Sequence, residues 1–178
     1  MDWPFTLNRV LEQQPCVLVT LNLILGSAPR ESGSRMIVTA DSAFGSIGGG
    51  NLEYTATRKA REMLLHFAQP QQLHEPYGLG PALNQCCGGA VTLLFEVCSS
   101  GCAPWVAELA VGLEQQTPLV LVMAIDRAEP VRWVVRGDDL PPADIPPAVR
   151  NVAGEMLRGG RAVDTERRGT DVRSFRRV

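Results

Sequence analysis

The sequence lacks the features that mark several common classes of protein. No apolar run reaches the roughly 18 residues that a membrane helix needs, and neither charge dominates, since 17 basic side chains accompany 19 acidic ones. The net charge of -2 gives no reason to expect a nucleic acid or a membrane surface as partner. The opening MDWPFTLNRVLEQQ is typical of an amphipathic helix rather than a signal peptide, so we expect a cytoplasmic location.

Two nucleotide-binding motifs are also missing. The triplet Gly48, Gly49 and Gly50 lacks the G-x-G-x-x-G spacing, and GLGPAL at 78–83 has a proline where a helix should start. No Gly-Lys-Ser/Thr follows the triplet, which excludes a Walker A loop. The sequence therefore contains no dinucleotide-binding Rossmann motif. An anion that binds at the triplet would need an arrangement other than the Rossmann or Walker A loop.

The sequence has few cysteines, and two of them are adjacent. There are five, which with a cytoplasmic location indicates unbridged thiols. Cys86 and Cys87 are adjacent and precede Gly88 and Gly89 at the start of a predicted strand; adjacent cysteines rarely bond to each other, because the geometry is strained. This position favours a metal or sulfur chemistry over simple packing. Cys98 and Cys102 lack a second pair for a zinc site, so we interpret them as packing residues.

The apolar patterns predict strands mixed with helices. CVLVTLNLIL at 16–25 is apolar at nearly every position, as in a strand buried on both faces. From Asn51, a predicted N-cap with Glu53 in the first turn, apolar residues recur at helical spacing. The predicted fold is α/β, with α+β as the alternative, and has a mixed β-sheet flanked by helices. Further strands are predicted at 36–40, 72–77, 90–98, 118–126 and 131–136, and further helices at 3–14, 103–116 and 148–160.

Composition changes near the end of the chain. Residues 161–178 are strongly basic and weakly patterned, and a proline-rich stretch precedes the last predicted helix. We therefore expect one domain over residues 1–160 and a basic C-terminal tail over 161–178.

Two glycine-rich segments predict an anion site. Gly48–Gly50 lead into the helix at Asn51, and a helix N-terminus with glycines before it lets an anion approach backbone N–H groups. Arg30 and Arg35 lie in a second Gly/Ser-rich loop and would bind phosphate if strand pairing brings the loops together. The alternative is a tight turn with solvated arginines.

Three blocks of the sequence resemble a known family. VLVTLNLILGSAPRESGSRMIV, GSIGGGNLE and LGPALNQCCGGAVTLLFE are similar, in this order, to the N-terminal domain of the XdhC/CoxI family, the xanthine dehydrogenase accessory proteins. The similarity covers residues 17–96. Many members of that family carry a second, C-terminal Rossmann-like domain, which we expect to be absent from this chain.

The resemblance implies a maturation chaperone for a molybdenum hydroxylase rather than an enzyme. Such proteins bind molybdenum cofactor (molybdopterin), protect it while its terminal sulfur is installed, and deliver it to the apo-enzyme. The implied partners are an apo xanthine dehydrogenase-type enzyme and a sulfur donor, a cysteine desulfurase, with a homo-oligomer left open. Cys86 and Cys87 would then face the metal, and the expected cofactor-binding residues are Arg30, Arg35, Gly48, Gly49, Gly50, Asn51, Gln85, Cys86, Cys87, Gly88 and Gly89.

Two other functions remain open at this point. One is a sulfur-transfer enzyme that uses Cys86 or Cys87 as nucleophile, although no histidine–carboxylate pair can be assigned to activate it. The other is an interaction module that docks on the oxidoreductase without holding cofactor. The adjacent thiols and two glycine-rich loops favour the ligand-binding hypothesis over both.

Overall fold

The apolar segment at 16–25 forms the central strand of the first sheet. The structure, a computed structural model, describes residues 2–66, 72–80, 88–100, 103–124, 131–137, 143–159, 163–166 and 170–175. Strand β1 (Cys16–Leu25) is buried on both faces from Cys16 to Asn22, as its near-continuous apolar sequence predicts.

Two compact units make up the chain, Met1–Cys102 and Ala103–Val178. The first contains a five-stranded sheet in the order β3-β2-β1-β5-β4, and all four pairings are antiparallel. Its elements in chain order are α1 (Trp3–Leu11), β1, β2 (Arg35–Val38), β3 (Ala43–Gly45), α2 (Gly50–Leu65), β4 (Gln72–Gly78) and β5 (Ala90–Cys98).

Helix α2 covers one face of this sheet. Its buried residues Leu52, Ala56 and Ala60 recur every four residues, so they share one side of the helix. Small alanines let the helix approach the sheet closely, and the alternate residues of the strands supply the facing side chains. The resulting core contains Val17, Val19, Leu21, Met36, Val38, Ile47, Leu52, Ala56, Ala60, Leu79, Val91, Leu93, Phe95 and Val97.

An irregularity in β1 shapes the edge where the candidate site lies. The register with β5 shifts between Leu21 and Leu23, after which Leu25 pairs with Ala90. The end of β1 therefore lies beside the start of β5, while β2 begins only at Arg35, opposite Thr20. Residues 26–34 connect these strands as a loop at that edge of the sheet.

The second unit is built on a four-stranded sheet in the order β7-β6-β9-β8, again with antiparallel pairings. Helix α4 packs on it through Val149, Ala153 and Met156, which join Val120 and Val122 in a core. On α3, Trp105 stacks under the Arg132 guanidinium, with Cζ 4.6 Å from the ring centroid. The elements are α3 (Ala103–Glu114), β6 (Leu119–Ala124), β7 (Val131–Arg136), α4 (Pro147–Gly159), β8 (Val163–Glu166) and β9 (Thr170–Phe175).

The predicted fold class is confirmed. Strands and helices are mixed along the chain as expected. The described pairings are all antiparallel, so the sheets are not mixed as predicted but have the α+β form that the sequence left as the alternative. The predicted strand at 90–98 forms with those bounds. No helix in the described part of the chain is both long and apolar enough to cross a bilayer.

Four features differ from the expectations. Gly49, not Asn51, is the N-cap of α2; its φ of 77° lies in the left-handed region that glycine adopts without strain. The short strand β3 forms in a segment for which the sequence predicts no strand. Strands β8 and β9 lie within the segment predicted as a weakly patterned tail, where pairing with β6 rather than local sequence stabilises β9. The boundary between the two units, after Cys102, is also not indicated by composition.

Candidate functional site

The loop at 26–34 packs against the start of β5. Gly89 is buried, and a Cβ at this position would lie 2.2 Å from the carbonyl oxygen of Ser27 and 2.7 Å from that of Leu25. On the other side of the same contact, a Cβ on Gly26 would be 3.4 Å from the Cα of Gly89. Only a residue without a side chain allows the two backbone segments to approach this closely.

The same loop also contacts the glycine triplet. A Cβ on Gly48 would lie 2.3 Å from Cγ of Pro29, so the pyrrolidine ring rests directly on the backbone of the triplet. Pro29 directly precedes Arg30. The contact therefore connects the position of the arginine to the conformation of the turn before α2.

The structure thus brings together the segments that the sequence analysis expected at one edge. Loop 26–34 contacts Gly48 on one side and Gly89 on the other. Gly88 is exposed beside this contact. Gln85, Cys86 and Cys87 lie outside the described residues, so their predicted role in binding stays a prediction.

Two cavities border the loop. The larger, about 690 Å³, is lined by Ile24, Gly26, Ser27, Ala28, Pro29, Arg30, Glu31 and Ser34. The smaller, about 370 Å³, is lined by Trp3, Arg30, Gly33, Ser34, Arg35, Gly45 and Ser46. Both volumes fall in the range of about 300–1,000 Å³ common for small-molecule sites. Arg30 and Ser34 line both cavities, so they form the shared wall.

The two predicted arginines differ in environment. Arg35 is 7% exposed, donates from Nε to Oγ1 of Thr20 (3.2 Å) and stacks on Trp3, with Cζ 4.4 Å from the ring centroid. Arg30 is exposed. Arg35 thus presents a fixed positive charge to the smaller cavity, whereas Arg30 is accessible to a ligand from either cavity.

The backbone of the turn before α2 binds a carboxylate from the same chain. Oε1 of Glu53 accepts hydrogen bonds from the N–H groups of Ile47 (2.9 Å), Gly48 (3.1 Å) and Gly49 (2.7 Å). It also accepts one from the Ser46 hydroxyl, at 2.5 Å. Partial burial would raise the pKa of Glu53, but the hydrogen bonds from Ser46 and these three N–H groups outweigh it and lower the pKa below its usual value.

This arrangement changes how the anion prediction is understood. The sequence predicts that the triplet offers its N–H groups to a ligand, yet those of Gly48 and Gly49 already donate to Glu53. The glycines instead shape the turn that supports Pro29. Positive charge for a ligand then comes from the arginine side of the site, at Arg30 and Arg35.

None of the cysteines and histidines that the structure describes lines either cavity. Cys16 and Cys98 are opposite each other on β1 and β5 and are fully buried as thiols, which supports the interpretation of Cys98 as a packing residue. His66 is exposed at the end of α2, and His74 lies on β4. Among the residues that the structure describes, no three His, Cys, Asp or Glu side chains are close enough to hold a metal.

Several residues of the site were not predicted from the sequence. Ser27, Pro29 and Ser46 contribute a close contact or a lining atom, and Trp3 comes from the N-terminal helix. Glu53 was noted only as an acidic residue in the first turn of a helix. A carboxylate a few residues after a glycine run is a usable signal, because helix N-terminal N–H groups attract negative charge.

Comparison with known proteins agrees with the proposed relationship. The sequence model described as the XdhC and CoxI family matches residues 10–74, so the resemblance to that family is confirmed over the segment that contains β1, loop 26–34, the triplet and α2. The match supports an accessory role for the chain. A search of curated proteins finds no significant match.

One solved structure shares the fold. A protein described as a xanthine dehydrogenase from Bacillus halodurans superposes with a TM-score of 0.71 at 19% sequence identity. The superposition covers 97% of this chain and 52% of that one, so this chain spans about half the length of that protein. At this level of identity the likeness shows a common fold.

Proposed function

We propose that the chain is an accessory protein that binds molybdenum cofactor as cargo, protects it during sulfuration and delivers it to a xanthine dehydrogenase-type enzyme. The family match over residues 10–74 supports the accessory role. A cysteine desulfurase is the proposed source of the sulfur, and the apo-enzyme is the proposed receiver. The cytoplasm, where thiols stay reduced, is the compartment in which this chemistry would take place.

The observation that carries the proposal is the position of Arg30. Its side chain forms part of the wall between two cavities, on a loop in contact with both Gly48 and Gly89. Gly88, which is exposed beside the site, directly follows Cys87 in the sequence, so we expect the thiol pair at the same edge. A positively charged group, together with thiols expected there, would suit a ligand that has a phosphate at one end and a soft metal at the other.

Molybdenum cofactor has this combination of groups. It is a pterin with a phosphate and a dithiolene-bound metal. Arg30 and Arg35 would bind the phosphate through charge-assisted hydrogen bonds, and Arg35 is already held in place by Thr20 and Trp3. Ser27 and Ser34 line the larger cavity and would offer hydroxyl groups to the polar edge of the pterin.

The residues of this chain then bind and shield, and none is required to transfer electrons. A preformed loop, held by close contacts on both sides, binds with a smaller loss of conformational freedom than a mobile one. Cys86 and Cys87, as thiolates, would face the metal or the sulfur being installed. The sulfur itself comes from the donor protein.

Measurement of bound cofactor tests this proposal. The purified protein, alone and after anaerobic loading with molybdenum cofactor released from a molybdoenzyme, is passed through gel filtration and assayed for molybdenum and pterin. We expect the two to co-elute with the protein in equal amounts. Absence of both after loading would overturn the proposal and would favour a module that docks on the enzyme without cofactor.

The arginine contact has its own test. Arg30→Ala should weaken cofactor binding about tenfold or more, because a hydrogen bond to a charged group contributes about 1.5–3 kcal/mol. Arg58→Ala is the matched control, since Arg58 is exposed on α2 and its ion pair with Glu62 is a surface contact. Equal binding by the Arg30 and Arg58 variants would remove Arg30 from the site.

A further inference from the structure

We propose that Glu53 is a positioning residue, which holds the turn at 46–49 in the shape that places Arg30 at the wall between the two cavities. Glu53 lines neither cavity. Its influence on a ligand is therefore indirect and passes through the turn, Pro29 and the loop at 26–34. For the effect on cofactor, though not for the coupling itself, this inference rests on the proposed function.

The contact between Glu53 and the turn is strong. A single carboxylate oxygen accepts four hydrogen bonds, three of them from consecutive backbone N–H groups at 47–49. Charge-assisted bonds of this kind are stronger than neutral ones. The lowered pKa of Glu53, which these bonds cause against the opposing effect of burial, keeps the group charged at neutral pH.

The turn needs such a contact, because its glycines do not fix their own conformation. Gly48 and Gly49 have φ values of 131° and 77°, and consecutive glycines have many alternative conformations. Gly49 caps α2 without any side-chain hydrogen bond of its own. Glu53, one turn into the helix, supplies the acceptor that selects one conformation of the turn.

The turn contacts the loop at 26–34, which contains Arg30. Gly48 lies under Pro29, where even a methyl group would approach Cγ to 2.3 Å. Ser46 donates to Glu53 and also lines the smaller cavity with Arg30 and Arg35. A shift of the turn therefore changes both the support beneath Pro29 and one wall of the cavity that contains both arginines.

Hydrogen exchange followed by NMR tests the coupling without a ligand. In Glu53→Ala we expect exchange of the amides of Ile47, Gly48 and Gly49 to accelerate about tenfold or more, since each loses a bond to a charged acceptor. Exchange in loop 26–34 should accelerate several-fold in the same variant. Glu53→Gln keeps an acceptor oxygen without the charge, so it should restore part of the protection in both segments.

Glu62, on the same helix as Glu53, provides the control. Glu62→Ala, on the exposed side of α2, should leave both segments unchanged. Faster exchange at 47–49 with no change at 26–34 would overturn the inference, as would no change at either. If Glu53→Ala does not fold, Glu53→Gln decides: an intermediate rise in both segments supports the coupling, and a rise confined to 47–49 contradicts it.

Cofactor binding by the same variants extends the test to function. Glu53→Ala should weaken binding of molybdenum cofactor by about two- to tenfold, the coupling expected between residues linked by direct contacts. Glu53→Gln should recover part of that affinity, and Glu62→Ala should match the wild type. If the wild-type protein holds no cofactor, the proposed function fails while the exchange comparison still decides the role of Glu53.

Discussion

Gly89 and Ser27 are in backbone contact so close that a Cβ on Gly89 would lie 2.2 Å from the Ser27 carbonyl oxygen. This contact packs the start of loop 26–34 against the start of β5. It also explains why one of two adjacent glycines is constrained and the other is not: Gly88 is exposed, and a Cβ there would meet nothing within 4 Å.

Substitution of these two glycines should therefore have different effects. Gly89→Ala should lower the free energy of unfolding by about 1–3 kcal/mol, as expected for a side chain inserted into a filled space, and should weaken cofactor binding because the loop must move. Gly88→Ala should leave the free energy of unfolding unchanged, because a Cβ there would meet nothing within 4 Å. Chemical denaturation gives the stabilities, and equal stability of the two variants would contradict the close contact.

The triplet allows a similar comparison. Gly49→Ala should cost about 1–2 kcal/mol of stability, since the residue has a φ of 77° but no neighbouring atom within 4 Å. Gly48→Ala should cost more, because the new methyl group also meets the Pro29 ring. Urea unfolding of the two variants measures the difference.

A double variant separates strain from contact at Gly48. Pro29→Ala removes Cγ, the ring atom that would lie 2.3 Å from a methyl group on Gly48. We expect Pro29→Ala to recover part of the stability lost in Gly48→Ala and to recover none in Gly49→Ala. Equal recovery in both backgrounds would show that Pro29 does not rest on the triplet.

Much of the fold follows from local sequence, because the strong signals come from buried elements. Strand β1 is apolar at nearly every position, and α2 repeats its buried residues at helical spacing. Strands β8 and β9 gave no such signal, since β9 pairs with β6, a strand that is distant in sequence. β-structure that depends on partner strands is the least visible in a single sequence.

The site was partly predictable for a related reason. Glycine- and arginine-rich loops mark where a ligand can approach the backbone, and the structure brings loop 26–34 beside Gly48 and Gly89. The acceptor of the triplet's N–H groups was not predictable. The N–H groups of Gly48 and Gly49 donate to the carboxylate of Glu53, four residues after Gly49. Whether a carboxylate of the same chain or a ligand anion binds these N–H groups depends on side-chain geometry, which residue spacing does not determine.

The cysteines should separate into two classes by reactivity. Cys16 and Cys98 are fully buried and should react with a thiol reagent only after unfolding. Cys86 and Cys87, expected at the site and unbridged, should react in the native protein prepared without reductant under anaerobic conditions, or be masked by bound metal.

The double variant Cys86→Ala/Cys87→Ala should lose two native thiol equivalents and bind less molybdenum cofactor. Its control is Cys16→Ala, which removes a thiol that the reagent does not reach. Mass spectrometric detection of a bond between Cys86 and Cys87 in the anaerobic protein would contradict the first expectation. Wild-type cofactor binding by the double variant would contradict the second.

Low pH should weaken the contact between Glu53 and the turn at 46–49. Because the pKa of Glu53 is lowered in the folded protein from its usual value of 4.5, the carboxylate contributes stability that is present above that value and is lost as pH falls through the folded-state pKa. Glu53→Gln lacks the charge at every pH. The difference in unfolding free energy between wild type and Glu53→Gln should therefore be constant at neutral pH and shrink as the pH falls below 4.5.

Glu62→Gln should leave this pH dependence unchanged, because an exposed ion pair such as that with Arg58 contributes little. Denaturation at a series of pH values measures both differences, and a Glu53→Gln difference that stays the same in acid would mean that the carboxylate charge does not stabilise the turn.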